Sequence, residues 1–134
     1  MHTKFNREEL ELITQRDWFE RKALAGVKTI QLLEEIASLC STAEMATVID
    51  FTRGYKITKG ENLNGFPYYV LDLPKLDTTN EILSVRVLIW WGHEAVVNLL
   101  VGEEAFRKNK SQILNNYNHF KSHDWYVNRV HTLW

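Results

Sequence analysis

Apolar and polar residues change their period twice along this chain. Up to Cys40 the apolar positions recur at helical spacing, from Tyr55 to Val101 they alternate or run together as strands do, and after Gly102 helical spacing returns. The stretch FNREEL carries a helix start, because Asn6 can cap, Glu9 sits three residues later and Phe5 with Leu10 has staple spacing. Leu10, Leu12, Ile13, Trp18 and Phe19 then form two loose stripes, the mark of a helix that touches two neighbours or packs across a dimer, with an end expected near Gly26. From Val27 to Cys40 the wheel is cleaner: Ile30, Leu32, Leu33, Ile36, Ala37, Leu39 and Cys40 cover about half of it, which predicts a largely buried helix. Ser41 and Glu44 repeat the capping-box spacing, and a third, short helix is expected to run to about Asp50.

The middle of the chain reads as two hairpins. YKITKGENLNGFPYYVLDLP predicts strands over Tyr55 to Lys59 and Phe66 to Leu73 around Asn64-Gly65, with Pro67 and Pro74 bracketing the second. KLDTTNE crosses to strands expected over Ile82 to Trp91 and Glu94 to Val101. Between these lies WWGHE, where Gly92 suits the first position of a two-residue type II′ loop with His93, since that position has positive φ. In that register Trp90 faces Ala95, Leu88 faces Val97 and Val87 faces Asn98, and both faces come out apolar. A hairpin wet on one side would alternate with polar residues, so this one is expected to be central and covered on both sides, by helices or by a second subunit.

After Gly102, the pairs Glu103-Arg107 and Glu104-Lys108 announce a long helix with Phe106, Ile113, Leu114, Tyr117 and Phe120 on one face. The tail WYVNRVHTLW predicts a final strand. The expectation is a single α+β domain over residues 1–134: N-terminal helices packed on a mainly antiparallel sheet, with a further helix before a C-terminal strand.

Charge and composition narrow the function. Sixteen Lys plus Arg against seventeen Asp plus Glu leave no basic face for counterion release, so nucleic acid is not an expected partner. The longest apolar run, Val87 to Trp91, falls far short of the roughly 20 residues of a membrane helix, and the first ten residues lack a secretory core. The expected address is the cytoplasm, without a membrane. One cysteine, Cys40, excludes an internal disulfide and fits a small buried hydrophobe.

Candidate chemistry is sparse. Arg86 and Asn98 interrupt apolar strands and Asp72 interrupts YYVLDLP, so Asp72 with Arg86 is expected to form a structural ion pair. These three residues are also the candidates for ligand binding. His93 lies next to Glu94, with nothing else in sequence to orient it as a base. His119 and His123 have the i,i+4 spacing of zinc ligands, with Asp124 following, but lack the HExxH glutamate, and no metal is expected. Phosphate-cradling loops, a GxSxG elbow and Cys/His signatures are absent, so no cofactor is expected. Five tryptophans suit a core, or an aromatic interface in which Trp125, Tyr126 and Trp134 are the members nearest the C-terminus.

KITKGENLNGFPYYVLDLPK, followed by VLIWWGHEAVVNLLV, resembles small uncharacterised bacterial proteins with a GxNxxGxPYxxLDxP segment and a WG hairpin. The resemblance covers roughly residues 53 to 101, implies the two hairpins, and brings no activity, cofactor or catalytic residue. The resulting expectation is a non-enzymatic protein-interaction domain acting as a homodimer, or through a protein partner. The alternative is a small-molecule binding or enzyme domain, its pocket between sheet and helices and Asp72, Arg86 or Asn98 among its polar groups.

Overall fold

The computed structural model describes residues 3–41, 49–76 and 81–127. Helix α1 (Arg7–Ile13) starts with the expected capping box: the Asn6 side chain accepts the Glu9 N–H at 2.8 Å, and the Glu9 carboxylate accepts the Asn6 N–H at 2.7 Å. It stops after two turns, where the Thr14 hydroxyl donates to the Leu10 carbonyl. Helix α2 (Arg16–Cys40) follows at once and runs straight through Gly26. The break therefore lies at Thr14-Gln15, and the two stripes of the sequence belong to two helices. Gly26 answers to packing: a Cβ there would lie 2.5 Å from the Tyr69 hydroxyl.

The third helix expected after Ser41 falls outside the described residues over 42–48. Where the chain returns, Asp50 caps a 3-10 turn (Phe51–Arg53), accepting from the Thr52 backbone at 3.0 Å and the Thr52 hydroxyl at 2.5 Å. These two hydrogen bonds hold the Asp50 carboxyl below its ordinary range.

Four strands, β1 (Lys56–Leu63), β2 (Phe66–Leu73), β3 (Leu83–Trp90) and β4 (Ala95–Val101), form one antiparallel sheet in chain order. Asn64 and Gly65 both take positive φ, 52° and 89°, which is the type I′ geometry of a two-residue hairpin between Leu63 and Phe66. β1 is longer than expected because a register shift between Gly60 and Leu63 lets it continue past Lys59.

The β3–β4 turn departs from the expected type. Trp90 and Glu94 exchange backbone hydrogen bonds at 2.9 and 3.1 Å, and the His93 N–H also reaches the Trp90 carbonyl at 3.1 Å. Gly92, at φ 77°, is thus the third residue of a turn that starts at Trp90, the place where a type II turn needs positive φ. The loop holds three residues, and the whole register moves by one: Leu88 faces Val96, Val87 faces Val97 and Arg86 faces Asn98. Val97 and Leu99 therefore share a face with Val87, and Val96 and Leu100 lie on the opposite one.

α2 lies on the face that carries Ile57, Tyr69, Leu71, Leu73, Val85, Val87 and Ile89. Leu33 and Ala37 of the helix meet Tyr69, Leu71, Leu73 and Val87 in the buried core. Burying a side chain such as Leu33 or Leu71 contributes roughly 1.5–3 kcal/mol. β3 is covered on both faces, since Val87 lies on one and Ser84, Arg86 and Leu88 are buried on the other. β4 is an edge strand rather than a central one, and the helices of its own chain leave it half open.

Past β4 the Gly102 N–H donates to the Ile82 carbonyl at 2.7 Å, and α3 (Glu103–Asn115) begins. Both expected ion pairs form on it, and Lys108 also binds Glu81 at 2.7 Å. The expected long helix is interrupted at Asn116, from which a short α4 (Tyr117–Ser122) continues. Residues 125–127 carry no strand, and the remainder of the expected C-terminal strand lies outside the described residues. The architecture is α+β, with helices before and after an antiparallel sheet.

Candidate functional site

The one-residue shift at the turn adds Asn98 to the polar residues that the other strands align. Lys56 faces Asp72, Asp72 faces Arg86 and Arg86 faces Asn98, so four polar residues cross the sheet in one row. Arg86 grips Asp72 bidentately, Nε to Oδ1 at 2.6 Å and Nη2 to Oδ2 at 3.0 Å, with both side chains buried. The fork occupies both carboxylate oxygens, an arrangement suited to clamping β2 to β3. Asn98 closes the row on the edge strand and is half-buried. This row lies on the sheet face away from α2.

Two open grooves lie on the α2 side, about 390 and 730 Å³ in volume, either side of the Lys22–Glu61 ion pair. The smaller is walled by Ala23, Val27 and Ile30 of α2 and by Lys59 and Glu61 of β1. The larger is walled by Trp18 and Ala25 of α2 and by Phe66, Pro67, Trp91 and Gly92. Neither is lined by Asp72, Arg86 or Asn98, so the ligand candidates and the grooves occupy different faces.

His93 is exposed at the turn, yet its ring is held: it stacks on Trp90 at 3.8 Å between centroids and meets Phe66 edge-on at 4.6 Å. Trp90 in turn donates its indole N–H to the Leu63 carbonyl at 3.0 Å. The histidine joins the two hairpin tips through ring contacts. His119 and His123 do approach, with ring centroids 4.3 Å apart, but His123 lies past the end of α4 and its Nδ1 is engaged with the His119 carbonyl at 2.9 Å. Among the described residues no group of three or more His, Cys, Asp or Glu is placed to hold a metal. Cys40 is a free, half-buried thiol packed against the core.

What sequence reasoning missed is an uncovered apolar surface. Trp18, Ala25, Leu32 and Leu39 recur every seven residues and so share one stripe of α2. Trp18 and Ala25, at its N-terminal end, line the groove that reaches the β3–β4 turn. Leu32 is 47% exposed and Leu39 74%. On the same face of the sheet as α2, Val97 is 59% exposed and Leu99 39%. The seven-residue recurrence was readable in the sequence, but the position of β4 at the sheet edge was not. Trp125 and Tyr126 are exposed, Trp125 meeting Phe120 edge-on, and Trp134 lies outside the described residues. No helix among the described residues is long and apolar enough to cross a membrane.

Comparison with family models, with curated proteins and with solved structures returned no match to this chain.

Proposed function

We propose that this chain is a non-enzymatic association domain that acts as a homodimer. The observation that carries the reading is α2: of its 25 residues only Gly26, Leu33 and Ala37 are buried, while Leu24, Val27, Leu32 and Leu39 stand in solvent. A helix that supports a core from one side has no physical reason to be so apolar on its flank unless something else covers it. The buried ion pair, the ring-held His93 and the engaged His119–His123 pair each have a structural use, which favours association over catalysis.

Light scattering coupled to size exclusion, with the full chain at micromolar concentration, is the test. Twice the chain mass is expected; a single-chain mass across that range overturns the homodimer.

A further inference from the structure

The two edges of the sheet are built differently. β1, at one edge, carries Lys56, Lys59 and Glu61 and is bent by its register shift, the devices that stop a strand from recruiting another. β4, at the other, reads AVVNLLV: seven residues without a charge, a proline or a register irregularity. Among the described residues nothing pairs with its outer side.

The direction of its hydrogen bonds follows from the ladder. Trp90 and Glu94 form a bonded pair, and Gly102 bonds Ile82 at the far end, so in between the even-numbered residues of β4 bond to β3. Ala95, Val97, Leu99 and Val101 therefore turn their N–H and C=O groups outward.

We propose that two copies of this chain join β4 to β4, antiparallel, about a two-fold axis at Asn98, giving a continuous eight-stranded sheet. This deepens the homodimer reading and rests on it. Among the registers open to an edge whose odd-numbered residues point outward, the one centred on Asn98 uses all four outward residues of each copy: Ala95 bonds Val101 of the second copy, and Val97 bonds Leu99. The strand is self-complementary in that register. The exposed Val97 and Leu99 land directly opposite each other, Val96 meets Leu100, and Asn98 meets its own copy, amide to amide. No charge is brought opposite a like charge.

The same operation places both α2 helices on one side of the joined sheet. The two helices then flank one shared apolar face, floored by Val97 and Leu99 of both copies. On the other side, the row Lys56, Asp72, Arg86, Asn98 continues through the axis into its own mirror order. A lone polar residue at the centre of an otherwise apolar strand then has a use, because a slip to either neighbouring register sets Asn98 opposite Val96 or Leu100.

The test is a cysteine at the axis, in full chain carrying Cys40→Ser. Asn98 and its copy would form a non-hydrogen-bonded pair with Cα atoms about 4.5 Å apart, within disulfide reach. Mild oxidation of Asn98→Cys should convert most of the chain to covalent dimer on a non-reducing gel. Val97→Cys is the control: it is more exposed, but its copy lies two positions along the partner strand, beyond the roughly 7 Å limit. It should stay single-chain. Equal crosslinking at both positions, or none at 98, overturns the pairing.

Two further variants read mass in solution, each first checked by circular dichroism. Val97→Pro removes an outward N–H and keeps the β3 ladder, and Val97→Lys places a charge on the joint; both should give folded monomer. A folded variant that keeps the dimer mass overturns the pairing. If the unmodified chain is a dimer while 98 fails to crosslink, the joint falls and the homodimer reading survives. If the unmodified chain is a monomer, both fall, and the open edge is left to a foreign strand.

Discussion

Replacing Gly26 by alanine would set a methyl carbon 2.5 Å from the Tyr69 hydroxyl oxygen. Helix propensity favours alanine by about 0.8–1.0 kcal/mol, but crowding a packed core costs about 1–3 kcal/mol, and Tyr69 is buried. The clash should win. Gly26→Ala is expected to lower the melting temperature, and adding Tyr69→Phe should recover it, because the next atom of the ring, Cζ, is at an ordinary 3.6 Å. A single variant as stable as the parent would mean that Tyr69 moves freely. Arg86 offers a second residue-scale test. Arg86→Met leaves the Asp72 carboxylate buried without its fork, at a cost of about 3–5 kcal/mol in denaturant unfolding. Adding Asp72→Leu should restore a substantial part of that, whereas a ligand-binding role alone would leave stability unmoved. Both positions show what a sequence conceals at this scale. A glycine in a helix reads as an end, and only the tertiary neighbour reveals that it makes room. Asp72 and Arg86 were legible as partners because an unpaired charge in an apolar strand has few stable fates.

Local signals were faithful where the chemistry is local. The Asn6 capping box, the Asn64-Gly65 turn and the Glu103-Arg107 and Glu104-Lys108 pairs all depend on residues within four positions of one another, and all formed. The β3–β4 turn was misread because glycine satisfies two turn types at two different positions, II′ at the first central residue and II at the second. Choosing between them needs the flanking contacts: the Trp91 N–H bonds the Pro67 carbonyl at 3.0 Å, and His93 stacks on Trp90. One residue of slip carries a large consequence, since it exchanges the faces of every β4 side chain. In the expected register Asn98 would face Val87 and the polar row would stop at Arg86; in the observed one Arg86 faces Asn98. The three ligand candidates were thus visible as residues and invisible as a line. α1 and α2 were likewise visible as helical, but their boundary lies at Thr14-Gln15, where a side-chain hydroxyl bonds back to the preceding turn.

For the whole molecule, the proposed homodimer makes folding and association one equilibrium. Dilution should then lower the melting temperature: a hundredfold change in chain concentration amounts to about 2.7 kcal/mol by mass action, enough for a shift of several degrees. Differential scanning fluorimetry across that range checks it, and a melting temperature independent of concentration would contradict the proposed dimer. The exposed surface that motivates this was beyond reach of composition, because 45% apolar residues is ordinary and says nothing about how many are buried.

The unequal edges of the sheet carry one more consequence. Addition of β4 onto β1 of a second copy would leave a fresh β4 exposed each time, and such head-to-tail growth has no natural end short of a filament. The lysines and the kink of β1 bar that mode, while β4 meeting β4 consumes both open edges at the first encounter. On the proposed pairing, a sheet shut on one side and open on the other counts to two and stops.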